Sequence, residues 1–366
     1  GLSAAFFLYS KYKELEEVRK RLVLTTHTPV AAGNEKHNIN QLFDMSFFQG
    51  LSQEEVREIA QPEEDIFDHT LVALRMAKIA NGVSAIHGDV AREMWGKYDH
   101  IAPIISITNS QNEKYWADVK LEKAAESGKL SEFDARKKEL KRRLFINLAD
   151  QTGKWFDPNV LTIVWARRFA GYKRADLITR DIERFKEIIC NQKMPVQIIW
   201  AGKPYPKDYS AITMFNELVK FCAGFPNVAI MTGYEMRLSK LLKQGSDVWL
   251  NNPRIPQEAS GTSGMTAAMN GSVNLSTWDG WIPEFVEHGK NGFVVPAVDY
   301  KNLSEEEQDS ADMHQLFDII QNEIAPTYYN EPKAWHKIVV TAMKQVVPEF
   351  ESGRMAKEYY TKLYNV

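Results

Sequence analysis

The sequence predicts an α/β protein built on parallel sheets, and three observations carry that reading. From residue 160 onward, short β-branched runs alternate with amphipathic helical patterns through the whole segment. Those runs are continuously apolar, as strands covered by helices on both faces are, which points to a Rossmann-like unit. The first 157 residues carry the same kinds of segment less regularly.

Taken in order, residues 1–21, "GLSAAFFLYSKYKELEEVRKR", read as a helix entered midway, so a piece of a longer protein is expected. "RLVLTT", "GVSAIHG" and "IAPIISI" are strand candidates separated by long helical stretches, like the latter part of an α/β unit without its early strands. Residues 131–153, "SEFDARKKELKRRLFINLADQTG", form a charged helix expected to connect two units. "LTIVWA" at 161–166 opens the regular region. A helix from Arg174 follows, with Leu177, Ile178, Ile182, Phe185, Ile188 and Ile189 on one face. "VQIIWAG", "VAIMTG", "VWLNN", "SVNLS" and "GFVV" continue the series, the first two each followed by a helix. After Pro332, the spacing of Trp335, Ile338, Val339, Ala342, Met343, Val346 and Val347 predicts a packed helix before Pro348. The expected organisation is 1–157 as an incomplete first α/β domain with its linker helix, 158–330 as a second and complete one, and 331–366 as closing helices packing back on the first.

The 366 residues, 44% hydrophobic, can fill more than one core. A net charge of −3 leaves no basic excess for a nucleic-acid partner. No apolar run approaches the roughly 20 residues that span a bilayer. Cys190 and Cys222 suggest neither a disulfide framework nor a metal site, and a cytoplasmic setting fits them.

Ligands of doubly wound folds lie at the carboxyl ends of strands, and three turns fall there. After "LTIVWA" comes "RRFAGYKR", with Arg167, Arg168, Lys173 and Arg174 around a Gly-Tyr turn. These four cations suit a phosphate or a solvated helix start. In "QEASGTSGMTAAMNG", residues 257–271, Glu258 precedes small residues that let a ligand approach the backbone, with a helix starting near Ser263 or Gly264. A structural loop reads similarly. In "TTHTPVAAGN", His27 follows a strand, and Asn81 stands in "ANGVSAIHG"; each is a hydrogen-bonding candidate or a structural residue.

Together, "LTTHTPVAAG", "ANGVSAIHG", "ARRFAGYKRADLI" and "EASGTSGM…NGSVNLSTWDGW" resemble the α-glucan phosphorylases of glycogen, starch and maltodextrin, especially their shorter bacterial branch, and in the family's order. The resemblance implies two Rossmann-like domains of the glycosyltransferase B type with the active site in the cleft between them. It implies transfer of α-1,4-linked glucose to phosphate with retention, giving glucose 1-phosphate. It assigns Glu258, Ser260 and Gly261 to the hydroxyls of the reacting glucose, with His27 and Asn81 near its 6-hydroxyl. Arg168 and Lys173 match ligands of the substrate phosphate, and Arg167, Tyr234 and Thr262 match positions around a pyridoxal phosphate cofactor. The implied partners are an α-glucan and phosphate or a sugar phosphate, with a homo-oligomer left open.

Two departures stand out. The family's cofactor lysine, in "GMK", is here Thr266, which has no amine to form a Schiff base. "ITNSQNEKYW" replaces the bacterial branch's "ITNGVH" through Ser110, Gln111 and Asn112. The family's cofactor acts through its phosphate, so a non-covalently held cofactor remains compatible with turnover. A nucleotide-sugar-dependent glucosyltransferase and a non-catalytic glucan-binding module, without cofactor, are the alternatives.

Overall fold

The computed structural model describes residues 1–30 and 33–365; Ala31 and Ala32 of the "HTPVAAG" motif lie outside them. The chain divides into two compact units. One comprises Gly1–Asn109, Pro256–Ser260 and Gly353–Val366, the other Ser110–Ile255 and Gly261–Ser352.

In the first unit, strands β1 (Val23–Thr25), β4 (Ile79–Gly82) and β5 (Ile104–Ser106) form a parallel sheet in the order β1-β4-β5, with Thr25 beside Asn81. β2 (Lys36–Asn38) and β3 (Ile66–Asp68) make a separate antiparallel pair. A hydrophobic cluster of this unit gathers Phe6, Phe48, Phe67 and Val72. The opening stretch is not one helix: Lys13 adopts a left-handed φ of 55° and separates Leu2–Tyr12 from Leu15–Arg19.

"GVSAIHG" is not a strand. β4 ends at Gly82, and Ser84 caps a helix over Ala85–Trp95, its hydroxyl accepting the His87 N–H at 3.1 Å. The turn is tight enough that a Cβ on Gly82 would stand 2.7 Å from the Gly88 backbone nitrogen. A serine cap and paired glycines outweigh the β-propensity of the lone valine.

The second unit holds six strands: β6 (Leu161–Ala166), β7 (Val196–Ala201), β8 (Val228–Met231), β9 (Val248–Asn251), β10 (Val273–Thr277) and β11 (Gly292–Val295). They run parallel in the order β11-β10-β9-β6-β7-β8. Every residue of β6 and β7 is buried, as a sheet sandwiched between helical layers requires. Trp165, Trp200 and Trp249 are wholly enclosed. Strand order reverses between β6 and β9, so the turns that follow these two strands open the crevice where doubly wound sheets take ligands.

The helix expected from Arg174 begins later. Arg174, with φ 49°, lies between two short 3₁₀ turns, Gly171–Lys173 and Leu177–Thr179, and Asp181 caps the α-helix Ile182–Ile189. Leu177 and Ile178 are buried without belonging to it. The charged helix spans Leu130–Thr152 and turns two lysines inward. Lys137 Nζ donates to the Asn270 carbonyl at 2.9 Å, and Lys141 Nζ meets Asp247 at 2.5 Å and the Val160 carbonyl at 2.7 Å. The last long helix runs Pro332–Phe350, past Pro348, and packs within this second unit against β10 and β11. Pro348 stands in its final turn, where few helical hydrogen bonds remain to be interrupted.

Candidate active site

At the carboxyl ends of β1 and β4, the first unit assembles a polar cluster. Asn81 is fully buried; its Oδ1 accepts from the Thr25 hydroxyl at 2.8 Å, and its Nδ2 donates to the Gly82 carbonyl at 2.9 Å and the Tyr359 hydroxyl at 3.3 Å. Asn81 therefore ties the segment after Gly353 to the sheet. Three residues on, the Ser84 hydroxyl donates to the Ala259 carbonyl at 2.7 Å, which holds the stretch between Glu258 and Ser260 against the start of helix Ala85–Trp95. Ser260 is 5% exposed, and its Oγ has no hydrogen-bond partner among the described residues. Such a buried hydroxyl is costly unless a ligand pairs with it.

His27 is exposed just beyond β1, and its electrostatic influence reaches His87. His87 belongs to the same motif as Asn81. Its Nδ1 accepts the Val83 N–H at 3.1 Å, so the proton of the neutral ring sits on Nε2. Burial holds its pKa below the ordinary histidine value, which favours that neutral form.

In the second unit, the cationic turn after β6 divides in two. Arg174 is fully buried and engaged: Nη1 meets Asp309 at 2.9 Å and Nη2 meets Asp312 at 2.7 Å, while Nε and Nη2 donate to the carbonyls of Asn252 and Pro253 at 2.9 Å each. Asn252 returns a bond to the Arg174 carbonyl at 2.8 Å, and its Oδ1 accepts from Trp165 at 2.8 Å. Arg254 and Arg180 also converge on Asp309, at 2.9 and 2.8 Å. Burial pushes the Asp309 carboxyl up, but the three guanidiniums outweigh it and bring its pKa to about 2. This buried knot clamps the turns after β6 and β9 to each other and to helix Glu305–Ile319.

Arg168 is exposed and Lys173 half-buried on the turn so fixed. Arg167 is buried beside the Trp165 ring, 5.5 Å from its centroid, and acts electrostatically on Tyr234. The Tyr234 hydroxyl donates to the Ala166 carbonyl at 3.3 Å and lies 3.1 Å from the Ser239 hydroxyl. Burial raises its pKa, so it stays a phenol. Gly261, with φ 80°, leads through Thr262 into a helix of only six residues, Ser263–Ala268. The Gly264 N–H already bonds the Gly261 carbonyl at 3.2 Å, which leaves fewer N–H groups for an anion than a long helix start offers. Thr266 is fully buried, and its hydroxyl donates to the Ser263 carbonyl at 3.0 Å.

A guanidinium beside a buried phenol suits the phosphate and ring of pyridoxal phosphate, so the second unit's Arg167 and Tyr234 fit that group; Thr266 offers no attachment for it. Among the described residues, no group of three His, Cys, Asp or Glu could hold a metal ion, and no helix is long and apolar enough to cross a membrane.

The class of protein follows from comparison. Residues 101–318 match the model of the carbohydrate phosphorylase family, and this chain belongs to that family. An uncharacterized protein of Methanocaldococcus jannaschii is 40% identical over 364 residues, covering 99% of this chain and 67% of the relative. Maltodextrin phosphorylase of Thermococcus litoralis is 35% identical and glycogen phosphorylase of Aquifex aeolicus 33% identical, each over 96% of this chain. The chain spans 47% and 58% of the length of those two relatives.

Proposed function

We propose that the intact protein is a retaining α-1,4-glucan phosphorylase that releases glucose 1-phosphate, with Arg168 and Lys173 receiving the substrate phosphate. The observation that carries this reading is the turn after β6: Arg174 is locked inside, and its neighbours Arg168 and Lys173 are held at the strand-order reversal of the sheet. Cations placed there would stabilise the anion that faces the positive charge developing on the sugar. In this reading Glu258, Ser260 and Gly261 orient the glucose hydroxyls, with His27 and Asn81 toward its 6-hydroxyl. The unpartnered Ser260 hydroxyl supports that assignment.

Arg167, Tyr234 and Thr262 would surround pyridoxal phosphate, which supplies a phosphate for proton exchange with the substrate phosphate. We read the fold as the glycosyltransferase B type, with residues 1–157, 158–330 and 331–366 as its parts, in a cytoplasmic protein.

Thr266 keeps a second reading in play, a glucan-binding protein without turnover. Phosphorolysis of a maltodextrin by the intact protein, with and without added pyridoxal phosphate, separates the two. Glucose 1-phosphate that is released, and lost in Arg168→Ala, supports the proposal. Glucan binding with no release in either condition overturns it, and transfer from a nucleotide sugar would point to the third class of activity.

A further inference from the structure

At the carboxyl ends of β10 and β11, on the other side of β9 from β6, the second unit holds a cavity of about 550 Å³. That volume lies within the roughly 300–1,000 Å³ of small-molecule sites. Trp278, the first residue after β10, forms part of its wall, and so does Pro296, the first after β11. Another part comes from helix Glu305–Ile319, where Asp318 and Ile319 follow Gln315 by three and four residues and share its side of the helix. The helix then passes into a π-turn, Ile320–Ile324, which brings Glu323 to the same cavity. Such turns are rare and occur often at functional sites.

The polar groups of the lining decide what it can take. His288 Nδ1 accepts the Val294 N–H at 3.1 Å, so its Nε2 proton is directed to Glu323 Oε2 at 2.7 Å. Asp318 Oδ1 is held by Arg184 at 2.7 Å. Each carboxylate is thus fixed by one oxygen and keeps the other to accept a further hydrogen bond. The Gln315 amide and the Trp278 indole N–H are half-buried and have no partner among the described residues. Among those residues no lysine or arginine lines the cavity, so a phosphate or carboxylate ligand would meet two acids and no counter-charge. Arg184 and His288 already engage the acids, which weakens the pull on a cation. A neutral ring with an apolar face and hydroxyls at its edge fits: an indole to stack on, an amide that both donates and accepts, and two fixed acceptors.

We propose that this cavity is a second, non-catalytic α-glucan site, in which a glucose unit of a long chain stacks on Trp278 while its hydroxyls bond Gln315 and Glu323. The identity of the sugar rests on the phosphorylase reading. Neighbouring strands are spaced by about 4.8 Å, so the ends of β10 and β11 lie roughly 5 and 10 Å from that of β9, whose turn borders the crevice at the strand-order reversal. A glucan anchored here stays near Arg168 and Lys173, and its free end is presented to them at a raised effective concentration. The site acts on the capture of long chains and takes no part in bond cleavage.

The test is native electrophoresis of the intact protein through gels with and without soluble starch, alongside phosphorolysis of starch and of maltotetraose. Starch should retard the wild type, with affinity about five-fold or more weaker in Trp278→Ala and about three-fold weaker in Gln315→Ala. The KM for starch should rise by similar factors, while kcat and the KM for maltotetraose stay unchanged. Should Trp278→Ala fail to fold, Gln315→Ala carries the reading alone, because a half-buried amide without a partner is dispensable to the fold. Unchanged retardation in the folded variants, no retardation of the wild type, or an equal loss toward maltotetraose overturns the proposal. Retardation that depends on Trp278, without glucose 1-phosphate release, would leave this inference standing and sink the phosphorylase reading. Release with retardation indifferent to Trp278 would do the reverse.

Discussion

Arg174→Met probes the knot that shapes the candidate site. The substitution removes a guanidinium that binds two carboxylates and two main-chain carbonyls, all at 2.7–2.9 Å and out of water. Asp309 retains Arg254 and Arg180. Asp312 is wholly buried and loses its guanidinium; burial already raises its pKa, and without Arg174 it must take up a proton. Removing one partner of a buried pair costs about 3–5 kcal/mol, far more than the intact pair contributes against an apolar replacement. We therefore expect Arg174→Met to destabilise by about 3–5 kcal/mol in urea unfolding of the intact protein. Adding Asp312→Leu should recover about 2 kcal/mol, because the stranded carboxyl is then gone. A loss below about 1 kcal/mol for the single variant, or strict additivity in the double one, would refute the claim that these groups act as a buried unit.

Three further outcomes are expected. Gly202 has φ 149°, and a Cβ there would overlap the Arg167 carbonyl oxygen, so Gly202→Ala should cost about 1–3 kcal/mol or more in thermal unfolding and displace Arg167. Because the folded Asp309 pKa of about 2 lies below its unfolded value of 3.8, its stabilisation is complete above pH 3.8 and lost as pH falls toward 2. About 2 kcal/mol of acid sensitivity should therefore vanish in Asp309→Asn, as read by urea unfolding at stepped pH. Burial pushes the Cys222 thiol up to about 12 whereas Cys190 is exposed, so alkylation of the native protein at pH 8 should label the Cys190 peptide and spare the Cys222 peptide until urea is added.

Much of the second unit was legible from its residues. "LTIVWA" and "VQIIWA" are too apolar for any position but the middle of a covered sheet, and their burial on both faces is what that composition demands. "GVSAIHG" misled because its strand pattern is local, while the turn was decided by the Ser84 cap and the close approach of Gly82 to Gly88. The four cations of "RRFAGYKR" looked equivalent along the chain. Only the fold, by bringing Asp309 and Asp312 from more than 130 residues away, turned Arg174 into scaffold and left Arg168 exposed. That Thr266 stands where the family's cofactor lysine would be was legible only through the family resemblance of the surrounding motif. Periodicity and composition thus determined the strands of the six-stranded sheet, since both are properties of neighbouring residues. Which charged groups are buried, paired or left to act was decided by contacts between distant segments, which exist only once the sheet has assembled.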